Sequence, residues 1–314
     1  MSIRLGIIMD PIQAINIKKD SSFAMLLEAQ QRGWEIYYME QQDLFLRNGI
    51  AYATMRRLKV KDDLNGWYEL REEEKLPLHH LQTILMRKDP PVDKAYLYAT
   101  QLLDLAEQQG VLVVNKPQSL RDVNEKLFIA WFPQCCVDTL VTSNIKQLKE
   151  FLQEVKDIIV KPLSGMAGTL VFRLQKTDPN LNVILETITQ SGARQIMAQR
   201  YIPAIVNGDK RILLIDGKPF LHALARIAPK GETRANLAVG GKGIGVDLTA
   251  RDQWICEQIA PALRARGLLF VGIDVIGDYL SEINVTSPTC IRELDKIYQV
   301  NIAALLLDVI EKKL

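Results

Sequence analysis

Histidine is scarce, with three residues (His79, His80 and His222) in 314. So few, so scattered, make a histidine-based nucleophilic triad or a zinc site improbable. The four cysteines stand at 135, 136, 256 and 290. Two are adjacent and none forms a Cys-x-x-Cys pair, which argues against a disulfide framework and thiolate metal ligation. A reduced, cytoplasmic protein is expected, in which the Asn284-Val285-Thr286 sequon carries no glycosylation meaning. Neither sign of charge prevails: 39 basic against 37 acidic residues leave +2. No global field therefore draws nucleic acid or an anionic membrane, and any bound anion must be met by a local cluster. No apolar run approaches the roughly 20 residues of a membrane span. The first residues, Met1 to Asp10, lack the long apolar core and cleavage site of a signal peptide.

The common catalytic signatures are missing as well. There is no Gly-x-x-x-x-Gly-Lys-Ser/Thr loop, no Gly-x-Gly-x-x-Gly, no His-Glu-x-x-His and no Gly-x-Ser-x-Gly. Chemistry falls to carboxylates, lysines and arginines.

What is present has the texture of an α/β protein. The length suits about two domains, and 48% hydrophobic with 24% charged residues is an ordinary globular balance. Buried-strand patterns at Ile3 to Met9, Trp34 to Met39, Thr83 to Arg87 and Val111 to Asn115 alternate with helices. Those helices run from Ser21 to Arg32, capped by Asp20 or Ser21 and closed by Gly33, and from about Asp93 to Gln109. This alternation predicts a parallel sheet. Arg47 to Leu78 reads as a loop-rich insertion with a short hairpin. The texture changes near residue 120. Helices are then expected at Leu120–Phe132, Ile145–Val155, Asn182–Ser191 and Ala250–Arg266, with a terminal one from about Val300. Strands are expected at 139–142, 158–162, 169–174, 195–202, 210–215, 219–227, 268–276 and 279–285.

Three clusters carry chemistry. Asp274, Glu282 and Asn284 lie on two strands meeting at Gly277, and hard oxygen donors of this kind suit Mg²⁺. Read alone, the same pattern fits a solvent-facing strand edge equally well. Lys161 ends a strand before the glycine-bearing turn Gly165 to Gly168, a pattern that offers N–H groups and a point charge to phosphate but also fits a plain β-turn. Lys126, taken by itself, is an ordinary helix-surface lysine. Arg211 and Arg226 sit on neighbouring strands, and Arg234 lies in a long glycine-rich stretch from Pro229 to Gly245 that suggests a lid over an anion. Ordinary surface arginines would look similar. Together, magnesium carboxylates, phosphate lysines and an arginine clamp are the parts of phosphoryl transfer from ATP.

Register constrains the first cluster. A two-residue Gly277-Asp278 turn would pair Asp274 with Ser281 and put Glu282 on the opposite face. The metal reading therefore predicts an odd-length loop or a bulge that sets Glu282 against Asp274.

The chain resembles the bacterial glutathione synthetases, ATP-grasp ligases, nearly end to end. The likeness is carried by Met9-Asp-Pro-Ile, Asn16-Ile-Lys-Lys-Asp-Ser-Ser-Phe-Ala-Met-Leu-Leu-Glu-Ala, Ile84-Leu-Met-Arg-Lys-Asp-Pro-Pro and Val114-Asn-Lys-Pro-Gln-Ser-Leu-Arg-Asp. Asn124-Glu-Lys-Leu, Gly231-Glu-Thr-Arg, Phe270-Val-Gly-Ile-Asp and Glu282-Ile-Asn-Val-Thr-Ser-Pro-Thr-Cys-Ile-Arg-Glu continue it. The resemblance implies an N-terminal α/β substrate domain over 1–122 and an ATP-grasp domain over 123–314, divided into a lid part (about 123–201) and a C-terminal part (about 202–314). It implies that γ-glutamylcysteine and glycine are joined through an acyl phosphate, with ATP and Mg²⁺ (or Mn²⁺). Lys126 and Lys161 would bind phosphates under a flap of Gly165, Met166, Ala167 and Gly168. Gln199, Arg200, Tyr201 and Ile202 would touch adenine, and Asp209 the ribose. Asp274, Glu282 and Asn284 would hold the metal. Arg211 and Arg226 would stabilise the acyl phosphate, with Arg234 acting from the lid. Ser21, Arg87, Asn236 and Arg292 would meet the peptide substrate. A homo-oligomer, dimer or tetramer, is also implied.

The chain departs from the family pattern at Ala167 and Ala235, where glycine is expected; alanine at a positive φ costs about 1 kcal/mol. Two other readings stay open from the residues alone: another ATP-grasp peptide or amino-acid ligase, and a silent nucleotide-binding protein. Release of ADP with γ-glutamylcysteine and glycine, with other pairs, or with none separates the three.

Overall fold

The computed structural model describes residues 2–165, 168–228 and 241–314. The first sheet begins with β1 (Arg4–Ile8), whose Leu5, Ile7 and Ile8 are fully buried, as strands covered on both faces require. Helix α1 (Ser21–Gln31) follows, with the Phe23 N–H donating to Asp20 Oδ1 at 2.6 Å. It leads to β2 (Glu35–Met39). Next come β3 (Leu44–Arg47), β4 (Ile50–Val60), β5 (Tyr68–Pro77) and β6 (Thr83–Met86). Helix α2 (Lys94–Gln108) crosses to β7 (Leu112–Val114). The strand order is β3-β4-β2-β1-β6-β7, with β5 on β4. Pairs β1–β2, β1–β6 and β6–β7 are parallel.

The stretch from Arg47 to Leu78 is not loop-rich. β4 and β5 form a long antiparallel hairpin that extends the parallel sheet. Ala51, Ala53, Met55, Leu58 and Val60 are buried along β4 with period two up to a register shift near Arg57. Small alanines and intervening charges hide that alternation from a hydrophobicity reading. β5 is mostly exposed and is held by its backbone ladder.

The helix expected over Leu120–Phe132 is also corrected. α3 (Pro117–Asp122) stops early, and a short 3₁₀ turn covers Leu127–Trp131. Between them Asn124 Oδ1 accepts from the N–H groups of Lys126 (3.1 Å) and Leu127 (2.9 Å), a local cap that competes with helix continuation.

A second sheet contains β8 (Thr139–Thr142), β9 (Asp157–Pro162), β10 (Phe172–Gln175) and β11 (Ile196–Arg200), ordered β10-β9-β11-β8. Helices α4 (Ile145–Val155) and α5 (Leu181–Thr189) close a core of its own with Leu148, Leu152, Ile158, Val160, Leu174, Leu185 and Ile188. The third sheet contains β12 (Asp209–Ile215), β13 (Lys218–Ile227), β14 (Lys242–Asp247), β15 (Phe270–Ile276) and β16 (Tyr279–Asn284). Its order is β14-β13-β12-β15-β16. α6 (Ala250–Ala265) packs on it, and α7 (Ile291–Tyr298) and α8 (Ile302–Lys313) end the chain. α7 was not anticipated, although Ile291 and Leu294 give its buried stripe. The first and third sheets share cores: Leu5 and Phe23 lie in one cluster with Leu213 and Leu224. No described helix is long and apolar enough to cross a membrane.

Candidate active site

A cleft of about 800 Å³ lies between the second and third sheets. Of the residues singled out from the sequence, it gathers Lys126, Lys161, Gly165, Gly168, Gln199, Arg200, Tyr201, Ile202, Asp209, Arg211, Arg226, Asp274, Glu282 and Asn284. The cleft has an apolar end and a charged end.

The apolar end is walled by Ile159, Val171, Ile202, Ile205, Val206 and Ile276 beside the end of β11. Tyr201 is fixed there: its N–H donates to Asp157 O at 2.9 Å, and the Arg173 guanidinium lies 3.7 Å from its ring centroid. Asp157 in turn accepts from Arg173 (Nη2 to Oδ2, 2.6 Å). An apolar slot rimmed by backbone groups suits a planar heteroaromatic base.

The charged end is built on β12, β13, β15 and β16. Arg211 pairs with Asp274 across neighbouring strands, Nε to Oδ1 at 2.5 Å and Nη2 to Oδ2 at 3.0 Å. Arg226 Nη2 reaches both Asp209 Oδ2 (2.5 Å) and Asp274 Oδ2 (2.9 Å). Burial alone would raise the Asp274 carboxyl, but Arg211 and Arg226 outweigh it and hold the group well below the usual carboxylate range. Burial pushes Asp209 up to about 6 against the pull of Arg226, with Asp274 adding to the rise. Asp274 is thus the ionised partner, and Asp209 takes a proton first. Among the described residues, Asp209 Oδ1 and Arg226 Nε have no hydrogen-bond partner. Burial lowers the Lys161 ammonium, with Glu282 opposing.

Asp274 pairs with Glu282 and Gly272 with Asn284, so the three oxygen-bearing side chains share one face of the β15–β16 hairpin. The turn has two residues, Gly277 and Asp278, because Ile276 pairs with Tyr279. A bulge at Ser281 restores the register, the second of the two predicted routes. Two carboxylates and an amide fit a hard divalent cation that completes its shell with water and phosphate oxygens. Among the described residues no group of three or more His, Cys, Asp or Glu offers a metal cage. Lys126 Nζ lies 3.0 Å from Glu282 Oε1 and donates to Gly165 O at 2.8 Å. Gly165, at φ +101°, takes a turn conformation an L side chain resists.

Three expected substrate residues lie elsewhere. Arg87 and Ser21 do not line the cleft. Arg87 donates to Ser22 Oγ and to Pro288 O, both at 2.9 Å, and Ser21 Oγ accepts from the Ile291 N–H at 3.1 Å. They hold the Thr286–Cys290 turn, which does line it. Arg292 faces a separate groove, where it pairs with Asp62 at 2.8 Å. Met166, Ala167, Arg234, Ala235 and Asn236 lie outside the described residues, as does most of the expected lid.

Sequence reasoning passed over Glu125, Arg173 and the Thr286–Cys290 turn. The turn lay inside a quoted motif without a role, and Glu125 beside Lys126 in another. Arg173 offered no signal, because its partners Asp157 and Tyr201 are brought to it only by strand pairing.

Residues 3–121 match the prokaryotic glutathione synthetase N-terminal domain, and residues 125–299 its ATP-grasp domain. A glutathione synthetase of Pseudomonas aeruginosa is 59% identical over 314 residues, covering 100% of this chain and 99% of its own. Those of Pseudomonas putida (60%, 100% and 99% covered) and Vibrio vulnificus (56%, 100% and 99% covered) are similar. In fold alone, the D-cycloserine synthetase DcsG crystal structure superimposes with a TM-score of 0.69 at 13% identity, covering 99% of this chain and 100% of that one. The ATP-grasp ligase PsnB complexed with minimal precursor gives 0.65 at 16% identity, with both chains fully covered. The chain belongs to the prokaryotic glutathione synthetases, ATP-dependent ligases that pair a family-specific N-terminal domain with an ATP-grasp domain.

Proposed function

We propose that the chain joins γ-glutamylcysteine to glycine at the charged end of this cleft, through an acyl phosphate. The carrying observation is the convergence of Lys126, Lys161, Arg211 and Arg226 with two carboxylates and an amide at one end of a slot whose other end is apolar. ATP lies with adenine at Gln199–Ile202 and its phosphates toward Lys126, Lys161 and the Gly165–Gly168 turn. Asp274, Glu282 and Asn284 hold Mg²⁺, which when bound neutralises phosphate charge and orients the γ-phosphoryl group.

The residues then have distinct work. Transfer requires the γ-phosphate to meet the cysteinyl carboxylate, two anions that repel in a cleft of low dielectric. Lys161, Arg211 and Arg226 offset that repulsion; pairing with Asp209 and Asp274 fixes the two arginines before substrate arrives, and a bond to Ser281 O fixes Lys161. The bond from the β,γ-bridging oxygen to γ-phosphorus breaks, a bond from phosphorus to the carboxylate oxygen forms, and ADP leaves. Glycine's amine attacks the activated carbonyl, the carbon–nitrogen bond forms, and phosphate departs while the amine proton passes to solvent. Arg87 and Ser21 act on the peptide through the turn they hold.

The organisation proposed is 1–122 and 123–314, the second part divided near 201, supported by the three sheets falling within residues 4–114, 139–200 and 209–284. A cytoplasmic homo-oligomer is proposed on the family's account alone, and its mass in solution checks it.

Steady-state ADP release tests the reading. Turnover should require γ-glutamylcysteine and glycine together; turnover with other pairs only, or none, rejects it. Glu282→Gln should lower kcat at least about 100-fold with the fold intact, and near-normal turnover in it would place the metal elsewhere.

A further inference from the structure

We propose that Glu125 is a positioning residue that fixes the metal-facing end of the β15–β16 hairpin and ties it to the phosphate turn. β16 is the outer strand of its sheet, so the N–H groups on its free edge need partners from elsewhere. Glu125 supplies them. Its backbone carbonyl accepts from the Ile283 N–H at 2.9 Å. Its carboxylate oxygen Oε1 accepts from the N–H groups of Val285 (2.7 Å) and Thr286 (2.9 Å) and from Thr286 Oγ1 (2.8 Å). These contacts bracket Asn284 on both sides, leaving its side chain on the Asp274 face.

The neighbours of Glu125 reach the other parts of the site. Asn124 Nδ2 donates to Leu163 O at 3.0 Å, at the entry to the phosphate turn. Lys126 Nζ reaches Gly165 O and Glu282. Three consecutive residues thus hold the phosphate turn, the phosphate lysine and the metal hairpin in one arrangement. The cost is visible in the backbone: the helix expected through this segment is interrupted here. A locally favourable helix given up at a cleft is what a site-building segment produces. A carboxylate accepting three donors from one turn also holds it more stiffly than a single neutral bond would.

The inference rests on the reading that Asn284 is a metal ligand, and its test keeps the two apart. Mn²⁺ is titrated against the full chain in the presence of ADP by electron paramagnetic resonance, alongside steady-state kinetics, for Glu125→Ala, Glu125→Gln and Asn284→Ala. Loss of an outer-shell partner typically costs 10–100-fold in metal affinity, so Glu125→Ala should weaken Mn²⁺ binding by about that factor and lower kcat similarly. Glu125→Gln keeps a carbonyl acceptor and should weaken Mn²⁺ only about threefold, with the glycine KM within about twofold of wild type in both. Should Glu125→Ala fail to fold, Glu125→Gln carries the test. Wild-type Mn²⁺ affinity in every folded Glu125 variant overturns the proposal, as does an equal loss in metal and glycine binding. If Asn284→Ala also leaves Mn²⁺ binding untouched, the metal reading has failed; if it alone loses Mn²⁺, only the positioning role has.

Discussion

Glu282 stands opposite Asp274 although a two-residue turn closes their hairpin, because Ser281 is an extra residue in β16. With Ile276 opposite Tyr279 and Val275 opposite Leu280, a regular ladder would bring Ser281, not Glu282, against Asp274. The bulge is tied in place. Ser281 Oγ donates to Asp274 O at 3.0 Å, and Lys161 Nζ donates to Ser281 O at 3.1 Å. Lys161 of the second sheet, the proposed phosphate lysine, is thereby anchored to the residue that sets the register of the proposed metal hairpin in the third.

Ser281→Ala should therefore affect function more than its size suggests. The lost hydroxyl leaves a buried carbonyl short of a donor, a stability loss of about 1 kcal/mol. We expect kcat to fall about 3- to 10-fold with the ATP KM raised, since Lys161 shares the bulge. Unfolding by urea with parallel kinetics checks it; a stability loss without any kinetic change would show the bulge to be structural only.

Arg226 is the sole guanidinium that touches both Asp209 and Asp274 among the described residues. Its side chain is 4% exposed, as Asp274's is 5%. Arg226→Met should destabilise by about 3–5 kcal/mol, because it strands buried carboxylates rather than merely removing a pair. Adding Asp209→Asn to that variant should recover part of the loss. Urea midpoints of the two single variants and the double form a cycle, and strict additivity would contradict the shared network.

The parts of the site that were legible in the sequence share a local cause. Lysine at a strand end, a carboxylate and an amide two apart on a strand and arginines on neighbouring strands keep their meaning in any fold with that pairing. Parity along a strand narrows the connection to an odd-length loop or a bulge, and β16 carries the bulge. Arg292, which the resemblance sets at the peptide substrate, sits two residues past the cleft turn, where α7 swings it toward Asp62 in the β4–β5 hairpin. From sequence that hairpin reads as a loop-rich insertion with only a short hairpin, since two of its buried positions are alanines and one strand is mostly exposed. The helix break at Asn124 escapes periodicity, because the Asn124 cap that competes with the helix is joined by bonds from Glu125 to the end of a strand some 160 residues away.

Arg292→Ala supplies a direct comparison. The Arg292–Asp62 pair is exposed on its acidic side (52%), a setting in which pairs contribute about 1 kcal/mol or less. We expect the γ-glutamylcysteine KM to stay within about twofold of wild type and stability to change by no more than that amount. A rise of tenfold or more in that KM, with kcat unchanged, would return Arg292 to the peptide site.

Asp295 gives the fold a pH signature away from the cleft. Burial pushes its carboxyl up to about 6, against the Ile302 N–H, which donates to Oδ1 at 2.9 Å, and against Arg292. In the unfolded chain an aspartate titrates near 3.9. Between those values the folded protein binds more protons than the unfolded one, so this group's contribution to stability falls as pH rises from about 4 to about 6 and is level above. Asp295→Asn removes the titration while leaving a carbonyl to accept from Ile302 at the start of α8. Wild-type stability minus that of Asp295→Asn should therefore decrease from pH 4.5 to pH 6 and stay constant to pH 8. Urea midpoints across that range measure it. A difference that grows with pH would mean that Arg292 and the Ile302 N–H outweigh burial, and that the carboxylate, not the acid, is the form the fold prefers.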